Sequence, residues 1–294
     1  MPPLRLIIWA LACLLPMGAW ADSIIVVMPR ETALTRTFVE ALARRVPMDA
    51  LDVQLLPSTS DANSASLYIT HGHEALQWRL QQSFATPPIA AYVTLDNLQE
   101  EYRMARPSSV QILLASAKPE RQIHLAQLLV PRLDTIGMLV SDQQRWQKPF
   151  WQYAAIQRGV NLYARAVPDQ ESLPRPLTDV LSESEVLVGL DDSIIYNAEN
   201  LKTLLLTSYA RNRVLIGPSA PFIAAGSLST TYSSPEDMAD SIVGMWRSPW
   251  QPAAIRYPDH FSVLSNPLVA QSLGLPPPDD VELMRRIHTQ EQSR

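Results

Sequence analysis

The chain has 294 residues, 47% of them hydrophobic and 18% charged, enough apolar material for more than one core. A net charge of −5 with no basic stripe makes the chain a poor candidate for nucleic acid or anionic membrane surfaces. A single cysteine, Cys13, excludes an internal disulfide, and 9 glycines with neither GxxxxGK[ST] nor GxGxxG leave no motif for a nucleotide cofactor.

The first residues read as a secretory leader. Arg5 is the only charge before Asp22, Leu6 to Leu15 form a short apolar run, and Pro16 and Gly18 break it. Ala19-Trp20-Ala21 is an A-x-A site, which predicts cleavage after Ala21 and a periplasmic location. The run is too short to span a bilayer comfortably. Cys13, after Leu11 and Ala12, leaves a lipoprotein site open as the alternative.

Strands and helices then alternate. Ser23 to Met28 reads as a buried strand, and Thr32 to Arg45 as a helix with Leu34, Phe38, Val39 and Leu42 on one face. Leu51 to Leu56 and Leu67 to Thr70 are strands, Glu74 to Ser83 a helix, Pro88 to Val93 a strand, Asp96 to Met104 a short helix, and Val110 to Ala115 a strand. Near-continuous apolar strands between helices predict a parallel sheet covered on both faces.

The pattern restarts with a helix over Glu120 to Val130 and a strand over Thr135 to Val140. A helix over about Gln144 to Arg158 follows, with Gly159 as its C′ residue. Next come a strand at Val160 to Val167, a helix at Leu177 to Ser182, a strand at Glu185 to Leu190, a helix at Asn197 to Ala210 and a strand at Arg213 to Ile216. Two doubly wound α/β units in one chain predict two lobes whose strand carboxyl ends face one cleft. Ser234-Pro235-Glu236-Asp237 then starts a helix to Trp246. An extended segment, a strand at Phe261 to Leu264 and a short helix from Asn266 follow, so the chain crosses back between lobes and forms a multi-strand hinge. The expected organisation is a leader at 1–21, a first lobe of 22–116 plus about 231–250, a second lobe of 117–230 plus about 251–278, and a C-terminal tail at 279–294.

Several segments resemble the ABC-transporter substrate-binding family of type I periplasmic-binding-protein fold, in the branch with tryptophan- and phenylalanine-binding members. "GSLSTTYSSPEDMADSIVGM" is similar to that family's return helix, and "FSVLSNPLVAQSLGLPPP" to its closing strand and ending. "PERQIHLAQLLVPRLDTIGMLVS" resembles the start of its second lobe, and "LVGLDDSIIYNAENL" its cleft-lining turn. The resemblance implies a periplasmic receptor for a small metabolite, amino-acid-like by default, partnered by a membrane permease and ATPase, with no catalytic chemistry. It places Asp192 at the family's cleft aspartate. The family's Asp-Pro after the fourth strand has no aligned counterpart in "YVTLDNL", and its "TP" after the third strand is Thr70-His71 here. A ligand-sensing subunit for a membrane receptor or kinase uses the same lobes and stays open as the alternative, with a secreted enzyme behind it.

The candidate ligand contacts sit past strand ends. Arg30 and Glu31 can clamp a carboxylate and an amine, or form a solvated turn. His71-Gly72-His73-Glu74 lacks the third or fourth ligand that zinc needs, which leaves His71 as a ligand contact. Asp192, in Asp191-Asp192-Ser193, is either a cleft carboxylate for a ligand amine or an ordinary helix cap. Tyr92, Trp146 and Tyr196 can stack on a planar ligand, whereas Trp151 lies mid-helix and reads as core. Thr94 and Asp142 flank two strand ends, and Ser219 can hold a carboxylate.

Overall fold

A computed structural model describes residues 23–57, 65–83, 85–98, 109–251 and 254–293. The leader, the Ala21 site and Cys13 lie outside the described residues, as does most of the helix expected over Asp96 to Met104. Among the described residues no helix is long and apolar enough to cross a membrane.

β1 (Ile24–Met28), β2 (Leu51–Leu55), β3 (Leu67–His71), β4 (Pro88–Val93) and β5 (Gln111–Leu114) form a parallel sheet in the order β5-β4-β3-β1-β2. β1 and β3 are buried along their whole length because both faces are covered, while the edge strand β2 is largely exposed. α1 (Ala33–Ala43), opened by a Thr32/Thr35 capping box, packs Phe38, Ala41 and Leu42 on Ile24, Val26 and Met28. α2 (Gly72–Leu80) covers the other face, with Ala75 against Val27 and Tyr68.

The second lobe repeats the plan. α3 (Pro119–Leu129), β6 (Thr135–Ser141), α4 (Lys148–Arg158), β7 (Asn161–Val167), α5 (Pro174–Glu183), β8 (Val186–Val188), α6 (Ala198–Ala210), β9 (Val214–Ile216), α7 (Pro221–Ala225) and β10 (Ser229–Tyr232) follow in turn. Their strands pair in parallel in the order β10-β9-β8-β6-β7. Trp151 on α4 is buried in the core with Leu177, Val180 and Leu187, as its mid-helix position predicts. Gly159 closes α4 at φ 66°, a left-handed turn that glycine adopts without strain.

α8 (Pro235–Arg247) returns to the first lobe and lays Met238, Ala239 and Ile242 over Phe38 and Leu42 of α1. Arg45 ties the two helices together, 2.6 Å from Asp240 and 2.9 Å from Glu236. This network is only half-covered, so Arg45→Ala is expected to lower stability by about 1 kcal/mol in urea unfolding. A loss indistinguishable from zero would mean that apolar packing alone holds α8 to α1.

Two expectations about the C-terminal third are corrected. β11 (Ile255–Arg256) belongs to the first sheet, paired in parallel with β5, rather than to the second lobe. Edge strand β5 has unpaired backbone groups, and the Ile112 N–H finds the Ala254 carbonyl at 2.8 Å. β12 (Ser262–Ser265) then runs antiparallel to β10, followed by α9 (Pro267–Ser272). The expected tail is a helix, α10 (Asp280–Gln292), capped by Asp279 onto the Glu282 N–H at 3.0 Å. Leu283 and Ile287, one turn apart, enter the second-lobe core. Glu291 pairs with Arg121 at 2.9 Å and Lys118 at 2.8 Å on α3's side. The chain therefore passes between lobes at residues 115–118, 233–234 and 257–261.

Candidate functional site

The lobes meet where strands end. In the second lobe β8 runs out at Val188, and Gly189 to Ser193 forms the turn beyond it. Asp192 is 2% exposed. Its Oδ2 accepts from the Ser141 N–H at 2.7 Å, tying the β8 turn to the end of β6. The Asp192 carbonyl accepts from Ile195 N–H at 3.1 Å and Tyr196 N–H at 2.8 Å. Asp192 thus organises the turn, yet its Oδ1 is buried with no partner among the described residues. Burial is the main cause that raises its pKa.

Asp191 sits beside it against the first lobe. Its Oδ2 is buried with no partner among the described residues. Burial pushes its pKa up to about 6. Leu95 N–H donates to Ser116 Oγ at 2.7 Å, so the loop after β4 and the first crossing are joined. Asp96, from that same loop, reaches across. Its Oδ1 accepts from Ser193 N–H at 3.2 Å and Gln144 Nε2 at 3.1 Å. Gln147 Nε2 donates to the Asp191 carbonyl at 2.9 Å and to Gln144 Oε1 at 2.8 Å. Three carboxylates from two lobes therefore converge, and the charge of Asp96 raises the pKa values of both Asp191 and Asp192.

Of the sequence candidates, Asp192 lies in this junction. Thr94 is next to it, its hydroxyl donating to Asn97 Oδ1 at 2.8 Å. Trp146 is half-buried in the turn between Gln144 and Gln147, edge-on to Phe150 at 6.1 Å. Ser219, half-buried after β9, accepts from Phe222 N–H through its carbonyl.

The others are elsewhere. Arg30 and Glu31 are exposed, and Glu31 pairs with Arg36 at 2.9 Å, the solvated-turn arrangement. Asp142 is exposed and paired with Arg145. Tyr196 is core rather than a stacking surface: its hydroxyl donates to the Val188 carbonyl at 3.3 Å and its ring meets Phe222 edge-on. His71 and Tyr92 stack at 4.3 Å and both pack on Phe38 of α1, within the first lobe. Burial lowers the His71 pKa to about 4 and pushes the Tyr92 phenol up. The Tyr92 hydroxyl has no partner among the described residues.

Asp96 was not a candidate because no Asp aligns after the fourth strand. β4 explains this: its register with β5 shifts between Ala91 and Val93, and Tyr92 has φ 57°. A bulge adds one residue, so a spacing-based alignment loses step there. Ser116, Gln144 and Gln147 carry no sequence signal beyond standing near strand ends.

No protein-family model matches the chain, and no curated protein matches it. Solved structures do. The ligand-free, open structure of CD0873, a substrate binding protein with adhesive properties from Clostridium difficile, aligns at TM-score 0.64 and 13% identity, covering 88% of this chain and 96% of that one. The ABC domain from Streptococcus pneumonia in complex with L-Trp aligns at TM-score 0.56 and 18% identity, covering 90% and 98%. A transcriptional activator of the comK gene from Bacillus halodurans aligns at TM-score 0.51 and 12% identity, covering 92% and 98%. Two doubly wound sheets in this order, matched along nearly all their length by such neighbours, give the chain a periplasmic-binding-protein-like fold.

Proposed function

We propose that the chain is a periplasmic solute-binding protein that captures a small, amino-acid-like metabolite between its lobes for an ABC importer. One observation carries this reading: Asp192 is a buried carboxylate at the lobe junction with one oxygen committed to Ser141 and the other without a partner among the described residues. A charge withdrawn from water is costly unless a partner meets it, and a ligand amine supplies one. The neighbours' names support a binding role, since two of them are a substrate binding protein and an L-Trp complex. Asp96 lies on the opposite lobe, so its contacts form only when the lobes are together. These contacts favour the closed state, and a ligand shifts the balance further by its differential affinity for that state.

A thermal-shift screen of metabolites, followed by calorimetry on the hit, tests the reading. Asp192→Asn keeps an acceptor for the Ser141 N–H but removes the charge. It is expected to weaken the hit at least tenfold, a loss of about 1.4 kcal/mol, with little change in melting temperature. Asp192→Ala also loses the Ser141 anchor and is expected to destabilise the protein by about 1–2 kcal/mol. The ligand should be recovered chemically unaltered. Unchanged affinity in Asp192→Asn, or turnover of the ligand, overturns the proposal.

A further inference from the structure

We infer that the solute held at this junction is a net cation, an amine or guanidinium without a carboxylate beside it, which narrows the amino-acid-like class to its decarboxylated amines, and that Asp96 sets this preference. The inference rests on the reading of the junction as the binding site. Asp96, Asp191 and Asp192 bring three carboxyl groups together from the loop after β4 and the turn after β8. Among the described residues every donor hydrogen-bonded to these carboxylates is neutral: the N–H groups of Ser141 and Ser193 and the Gln144 amide. Among the described residues no lysine or arginine contributes to the balance of Asp191 or Asp192.

Two buried oxygens, Asp192 Oδ1 and Asp191 Oδ2, are without partners among the described residues. Neutral donors lessen the cost of such a cluster but leave its charge in place. A zwitterion would answer the cluster with its amine and then add a fourth negative group beside three others. A ligand carrying only positive charge avoids that repulsion. Among the described residues no three His, Cys, Asp or Glu side chains are placed to hold a metal ion. The complementary partner is therefore an extended organic cation rather than a point charge. Asp96 belongs to the first lobe and the other two to the second, so such a cation also links the lobes.

Isothermal titration of the full chain with length-matched probes tests this. 1,4-Diaminobutane and its guanidinium counterpart agmatine carry only positive charge, and 4-aminobutanoate has the same chain with one carboxylate. The cations are expected to bind at least tenfold more tightly than the zwitterion. Asp96→Asn, whose side-chain oxygen still accepts from Ser193 and Gln144, should shrink that ratio toward one at an unchanged melting temperature. Equal or tighter binding of 4-aminobutanoate, or an unaltered ratio in Asp96→Asn, overturns the charge preference. If zwitterions from the wider screen bind in an Asp192-dependent manner while neither cation does, the charge preference falls and the binding role stands. If no metabolite of any charge binds, both fall.

Discussion

Between pH 4 and 6, His71→Gln and Asp191→Asn are expected to change the pH dependence of stability in opposite directions, each by about 2 kcal/mol. The ring of His71, stacked on Tyr92 and covered by Phe38, has its pKa lowered to about 4 by burial. Unfolded chains hold the His proton below about pH 6.5. The native ring refuses it, so the stability present above pH 6.5 is lost as pH falls toward 4. Asp191 runs the other way. Its folded pKa of about 6 lies above the ordinary 3.8, so the native state keeps a proton that the unfolded chain releases. Its contribution is present below pH 3.8 and lost as pH rises through 6. Asp191 is half-buried as a residue, but its Oδ2 has no accessible surface, and the carboxyl group follows that oxygen. The two contributions offset one another in the wild type over this window. Removing His71 leaves stability falling from pH 4 to 6, and removing Asp191 leaves it rising. Urea unfolding at half-unit pH steps measures both. A His71→Gln profile parallel to wild type would mean that the ring is hydrated and titrates normally. His73, lowered by burial, and Asp192, raised by it, act alike in both variants and cancel from the comparison.

Gly189→Ala is expected to lower stability by about 1–3 kcal/mol and to reduce ligand affinity more than tenfold. A Cβ at Gly189 would stand 2.6 Å from Pro218 Cδ and 2.9 Å from the Pro218 nitrogen. Neither atom belongs to a flexible side chain, so the ends of β8 and β9 must separate. Gly189 N–H also donates to the Ile216 carbonyl at 2.8 Å across the same gap. Asp191 and Asp192 begin two residues later and would move with the strand end. Gly244→Ala is the control: it lies within α8, and its added Cβ meets nothing within 4 Å. There alanine is expected to stabilise by about 0.5–1 kcal/mol. If Gly189→Ala behaved like Gly244→Ala in unfolding and calorimetry, the close approach of β8 to Pro218 would have no bearing on the site.

The alternation of strands and helices was legible because the parallel strands are apolar throughout. Ile24 to Met28 and Ile136 to Val140 are buried, as inner strands with both faces covered must be. β10 escaped the same reasoning. Ser229, Thr230 and Thr231 are buried polar residues, satisfied by Gln122 of α3, Ser265 and the Gly217 carbonyl rather than by apolar packing. β11 spans two residues and has no periodicity to read. α10 was hidden behind Pro276-Pro277-Pro278, although Leu283 and Ile287 keep helical spacing. At the site, residue type and position past a strand end brought out Asp192 but did not separate it from Tyr196 or His71. Those two side chains turn inward, a matter of neighbours contributed by distant parts of the chain. Asp96 was missed for the bulge at Tyr92, a backbone event that leaves no mark in composition.

The late return of the chain bears on how the protein is made. Phe38, Ala41 and Leu42 are covered by α8, and the outer edge of β5 is completed by β11. Both covering elements emerge from the ribosome after residues 115–234 have been translated. A nascent chain therefore carries the greasy side of its N-terminal half uncapped through all of that synthesis. Until residue 256 is out, that half depends on holdase chaperones or transient self-burial to escape aggregation.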